Sequence, residues 1–171
     1  MRAIPIALAL GIVAAVTAGA RAQDQAPAGP CSGLNLKIDS GGQDAGEGKN
    51  AFAYKITNIG AKPCTLDGHP RVELLDPKGQ PVQDMPVEET TASAVVSAED
   101  SAGPVTVPPG GEAFFAVEFP TGGGSADCRN AVELRATLPG TSMPATFAGS
   151  FTACGGPVRV TQINPGASPL E

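Results

Sequence analysis

The sequence predicts an all-β protein: a single immunoglobulin-like antiparallel β-sandwich with two disulfides. Three observations carry this. Apolar residues recur with a period of two in about seven to nine short runs, separated by Gly, Pro, Asp and Asn clusters at intervals that suit a sandwich. No run beyond the N-terminal segment has the 3.6-residue period of a helix, which excludes βαβ folds. The four cysteines, Cys31, Cys64, Cys128 and Cys154, are an even set without a CxxC pair. In an exported chain that pattern reads as two disulfides rather than a zinc site.

Taken in order, the N-terminus has Arg2, an apolar run from Ile4 to Val16, and Ala20-Arg21-Ala22. A basic start, a hydrophobic middle and small residues at −3 and −1 are the parts of a secretory signal peptide. Residues 1–22 are assigned to it, with cleavage after Ala22. The apolar run is shorter than the ~20 residues of a membrane-spanning helix, and no later stretch is long and apolar enough to span. A lipid anchor at Cys31 is rejected, because Pro30 precedes it and a polar segment separates it from the apolar run. Residues 23–30 (QDQAPAGP) read as a disordered leader, and 31–171 as the domain.

In residues 34–39, Leu34, Leu36 and Ile38 alternate with Asn35, Lys37 and Asp39, giving a half-buried strand. Residues 40–50 (SGGQDAGEGKN) are glycine-rich and polar and read as a loop. Phe52, Tyr54 and Ile56 mark the second strand, which ends at Asn58. The stretch 58–70 (NIGAKPCTLDGHP) closes that strand, turns around Cys64 and launches a third at Val72 and Leu74. Asp76-Pro77-Lys78-Gly79 is a β-turn string. Between 82 and 103 the pattern weakens, with acids at Asp84, Glu88, Glu89, Glu99 and Asp100 around a strand at 92–98. Strands at 105–107 and 112–119 flank Pro108-Pro109-Gly110-Gly111, which fits a type II turn with glycine at the positive φ. Residues 121–127 are loop. Val132, Leu134 and Ala136 point one way along the next strand, and runs at 145–153 and 158–163 complete the set.

The strand order suggests which cysteines meet. Cys31 precedes strand one and Cys64 follows strand two; paired antiparallel, those ends share a sheet edge. Cys128 and Cys154 bracket two later strands in the same way. Of the three connectivities available, Cys31–Cys64 and Cys128–Cys154 are expected.

Composition narrows the partners. The chain has 11 Lys and Arg against 17 Asp and Glu; loss of residues 1–22 removes two arginines and leaves 9 against 17, or −8, on 149 residues. That length buries roughly two-thirds of its unfolded surface in one domain. An acidic surface argues against nucleic acid and anionic lipid, both of which need basic faces.

One ordered set of residues is distinctive: Cys31; Asn58-x-Gly60-x-x-x-Cys64-Thr65-Leu66-x-Gly68-x-Pro70; Pro109-Gly110-Gly111-x-Ala113-x-Phe115; Cys128; and Ala153-Cys154-Gly155. It resembles the exported bacterial domain-of-unknown-function family 4232 from Cys31 to the C-terminus. His69 stands where that family often has an aromatic. The resemblance implies an extracytoplasmic β-sandwich, secreted or attached to the cell envelope, and assigns no catalytic residue.

Chemistry-bearing groups are sparse. His69 is the only histidine; as a hydrolase base it lacks a nucleophile elbow and has Asp67 only two residues away in a tight turn. Copper or zinc would rely on Met85 and Met143, which read instead as core or loop filler. Asp39, Asp44 and Glu47 are oxygen ligands for calcium in type but not in EF-hand spacing. The acids of 84–100 read as a solvated charge run that protects strand edges. The expected function is therefore non-catalytic: an exported domain that binds or scaffolds at the envelope, without metal or cofactor, and a monomer. Its candidate surfaces are 40–50, 84–103 and 121–127. The alternatives are a secreted hydrolase using His69 and a calcium-dependent adhesion module.

Overall fold

In the computed structural model, residues 28–91, 103–122 and 124–168 are described. The signal peptide and its cleavage site, most of the leader and the strand at 92–98 lie outside them. Twelve strands form among the described residues: β1 (Gly29–Pro30), β2 (Leu36–Gly46), β3 (Lys49–Asn58), β4 (Cys64–Leu66), β5 (Arg71–Leu75), β6 (Val87–Thr90), β7 (Val105–Val107), β8 (Glu112–Pro120), β9 (Cys128–Thr137), β10 (Pro144–Cys154), β11 (Val158–Thr161) and β12 (Asn164–Pro165). The larger sheet runs β2-β3-β8-β11-β6, with β12 also on β8; a second runs β10-β9-β5; and β1-β4-β7 forms a short ribbon. The fold is all-β and sandwich-like, consistent with the immunoglobulin-like architecture. Two ladders are parallel rather than antiparallel: β1 beside β4 and β11 beside β6.

Strand β8 is the centre of the larger sheet and is buried along both faces. Phe115, Val117 and Phe119 point into the main core with Ile56, Leu134, Ala136 and Val158. A continuous apolar run is what a two-sided strand needs. Where β8 changes partner from β11 to β12, the Thr161 hydroxyl accepts from the Ala116 N–H at 2.9 Å and replaces a missing ladder bond.

Four details depart from the sequence pattern, each for a local reason. Residues 40–50 are not a loop: β2 and β3 form a long hairpin, closed at Gly46 and Lys49. Glu47 (φ 50°) and Gly48 (φ 74°) make its two-residue turn, with both residues left-handed as a type I′ turn requires. The outer half of β2 is exposed, so its ladder forms without an apolar pattern to reveal it. Second, Leu34 does not join the strand; Ser32 accepts from the Asn35 N–H, a tight turn spans Gly33–Asn35, and Leu34 is left 74% exposed. Third, Val132 faces solvent, because a bulge between Ala148 and Phe151 of β10 shifts the phase of the facing β9 residues, so that Ala131 is buried instead. Fourth, the last two leader residues are ordered: Gly29 and Pro30 lie beside Cys64 and Thr65.

The disulfides join Cys31 to Cys64 and Cys128 to Cys154, the pairing that strand order favours. The second links directly opposed residues of β9 and β10. The first ties β1 to β4, with the Cys31 N–H donating to the Thr65 carbonyl at 2.9 Å. Closing loops of this size contributes about 3–4 kcal/mol each in the chain-entropy account. The turn 108–111 is as expected, with Gly110 at φ 70° and the Gly111 N–H donating to Pro108.

Candidate functional site

The groups chosen from sequence land apart from one another. The His69 ring is packed against β6: Nε2 is 3.1 Å from the Thr90 carbonyl, and Nδ1 is 3.5 Å from a Glu89 carboxylate oxygen. A carbonyl only accepts, so Nε2 carries the proton and donates. These contacts make the histidine a clasp on an edge strand. Asp39 pairs with Lys37 at 2.9 Å, Asp44 accepts from the Ala45 N–H at 2.7 Å, and Glu47 sits at the hairpin tip. Asp39 and Asp44 face Lys55 and Ala51 of β3, four residues apart and thus about 13 Å at ordinary strand rise. Among the described residues no group of three or more His, Cys, Asp or Glu gathers as a metal site. Met85 is buried in the main core and Met143 is exposed. Within the acidic segment, Asp84 approaches Arg129 at 4.0 Å and Glu88 and Glu89 lie on β6.

Two clefts lie elsewhere. One, of about 450 Å³, borders the Cys128–Cys154 bridge and is charged, lined by Glu47, Lys49, Glu118 and Arg159 among others. Glu118 is only 2% exposed on β8, with the Lys49 ammonium at 3.6 Å. That pair is a buried charge held in place by its partner, as burial of a carboxylate requires.

The other cleft, of about 520 Å³, opens where the two main sheets part, between β2 and β3 on one side and β10 on the other. Its walls are Phe52, Tyr54, Phe147 and Phe151, and its rim carries Ser40, Gln43, Thr146 and Ser150. The rings form two groups: Tyr54 stacks on Phe115 and tilts against Phe147 at 4.5 Å, while Phe52 meets Phe119 and Phe151 edge-on, the latter at 5.4 Å. Each bordering edge strand is bulged beside the cleft, β2 between Ser40 and Gln43 and β10 between Ala148 and Phe151. Bulges re-aim side chains and interrupt pairing.

Tyr54 is the unusual group in this cleft. It is 3% exposed as a residue and lines the cleft. Burial holds its ionisation well above the ordinary tyrosine range, so the hydroxyl is neutral and available to donate. Of the cleft residues, Ser40 and Gln43 belong to the candidate surface 40–50, while the aromatic walls and the β10 lip did not stand out in the sequence, although residues 136–158, which include all of β10, carry no Asp, Glu, Lys, Arg or His.

No helix among the described residues is long and apolar enough to cross a membrane. No curated protein and no solved structure matches the chain significantly. The profile of one family, a domain of unknown function (DUF4232), matches residues 31–165. The match begins at the first bridged cysteine and ends on β12, taking in both disulfides and the aromatic cleft, and the chain belongs to the DUF4232 family.

Proposed function

We propose that this protein is a non-catalytic binding module that works outside the cytoplasm, at the cell envelope, as a monomer. The observation that carries the reading is the aromatic cleft between β2, β3 and β10, with its neutral rim. Largely apolar concavities with a few polar groups are where ligands are held. Two disulfides suit an oxidising compartment. The non-catalytic part of the reading rests on His69 being engaged with Thr90 and Glu89 and on all four cysteines being bridged.

The test is retention from envelope extract on mature, oxidised protein and, in parallel, on a Phe147→Lys variant that places a charge in the cleft. A partner held by the first and not by the second supports the reading. Equal retention on both, or none at low and moderate salt, removes it.

A further inference from the structure

The two main sheets have four outer strands, and three of them are charged. Strand β2 carries Lys37, Asp39 and Asp44; β5 carries Arg71 and Glu73; β6 carries Glu88 and Glu89. Charges on an outer strand keep another chain from adding to it. Strand β10 is the exception. It is 11 residues long, holds no charged residue and, among the described residues, pairs with β9 alone. Its first stretch, 144–148, stays in regular register with β9 up to the bulge. It therefore presents about 16 Å of unpaired backbone donors and acceptors.

That edge forms one lip of the aromatic cleft: Thr146, Phe147 and Ala148 belong to both. A chain laid along β10 has its backbone on the open edge and every second side chain over Phe52, Tyr54 and Phe147. The Tyr54 hydroxyl, which belongs to the cleft lining, donates to a carbonyl of that chain. At Gln43 and Phe52 the cleft adjoins a smaller one, also lined by Asp44, Ala45 and Asn50. The Asp44 end of this path favours a positive charge and, on a chain of net charge −6, an acidic ligand is disfavoured throughout.

We infer that the cleft takes an extended peptide segment of another protein, about five to six residues long, added as a strand to β10. The segment has aliphatic side chains at alternate positions, no acidic residue, and a basic residue at the end that meets Asp44. This rests on the cleft being a binding site and names the class of its ligand.

The experiment is an amide-resolved NMR titration of mature, oxidised protein. The probes are blocked hexapeptides that alternate valine, isoleucine or leucine with threonine and end in lysine. A twin of each is N-methylated at alternate residues, which removes strand hydrogen bonds without changing side chains. Saturable shifts confined to 144–148, 40–43 and Tyr54 are expected. The N-methylated twin should bind at least about tenfold more weakly, and Tyr54→Phe should weaken binding about fivefold with an unchanged spectrum elsewhere. Ala148→Lys, on the exposed lip, should weaken it at least as much.

Undiminished binding of the twin, or shifts mapping elsewhere, overturns the inference. Shifts in the same residues from neutral oligosaccharides but from none of the peptides would show the ligand class to be wrong while leaving the binding module intact. Silence of the cleft toward both would remove the binding reading too. A concentration-dependent dimer abolished by Ala148→Lys would put a second copy of this chain on the edge instead.

Discussion

The side-chain amide of Asn58 donates to the carbonyl of Val107 at 2.9 Å, across 49 residues of chain, and the same nitrogen reaches the Lys62 carbonyl at 2.8 Å. Its oxygen accepts from the Gly60 N–H at 2.9 Å. The Asn58 backbone adds two bonds to the facing turn, donating to Gly111 and accepting from Gly110. Asn58 is completely buried, and these contacts bind the turn before Cys64 to the turn between β7 and β8. Asn58→Ala should therefore cost about 2–4 kcal/mol, since it strips donors from two carbonyls. Asn58→Asp should cost more at neutral pH, because a carboxylate only accepts and would face those carbonyls with a charge. Its deficit should shrink in acid, where a protonated carboxyl regains a donor. Urea unfolding of the two variants at neutral and acidic pH checks the order.

The facing turn needs its two glycines for different reasons. Gly110 sits at φ 70°, so Gly110→Ala should cost about 1 kcal/mol in backbone strain. Gly111 is free of that constraint, but a Cβ there would lie 2.6 Å from the Pro108 ring and 3.0 Å from its carbonyl. A proline ring has little room to yield, so Gly111→Ala should be the more damaging change, by about 1–3 kcal/mol over Gly110→Ala. Thermal unfolding of the two single variants decides it. Equal losses would mean that φ strain alone governs the turn.

These two turns show what the sequence discloses well. Asn58-x-Gly60 and Pro109-Gly110-Gly111 are short strings whose backbone demands are local, and the bond between them follows from a β-sandwich. The period-two runs at Phe52–Ile56 and Leu134–Ala136 are equally plain, because one face of each is buried. The outer half of β2 is not legible: it is an exposed hairpin edge, and backbone hydrogen bonds leave no apolar signature. Val132 and Leu34 were misplaced by a bulge and a tight turn, which shift phase without changing composition. The cleft is the least legible of all. Ser40 and Tyr54 face each other across the β2–β3 hairpin, but Phe147 comes from the other sheet, and the bulges beside the cleft leave no mark in the sequence.

The His69 clasp predicts a local effect. Strand β6 is four residues long, pairs with β11, and is held from its other side by the His69 ring at Thr90. His69→Ala should release it, raising amide exchange across Val87–Thr90 several-fold while global stability falls by about 1 kcal/mol. His69→Gln retains a side-chain donor and should restore much of the protection. Hydrogen exchange resolved by residue separates the two variants. Equal exchange in Ala and Gln variants would show that ring packing, rather than the bond to Thr90, holds the strand.

Tyr54 offers the cleanest optical measurement, because it is the only tyrosine and the chain has no tryptophan. Burial against Phe115 and Phe147 disfavours the phenolate and raises its ionisation above the ordinary value of about 10. For an acid whose folded value is raised, the linked stability is fully present below the unfolded value. It is lost as pH climbs from there toward the folded one. Alkaline titration should thus show no phenolate absorbance through the ordinary tyrosine range while the fold persists, then an abrupt rise coincident with loss of near-ultraviolet dichroism. In Tyr54→Phe the alkaline unfolding should move to higher pH, since the ionising group that drives it is gone. A phenolate appearing gradually near the ordinary value, with dichroism intact, would mean that the hydroxyl is solvated.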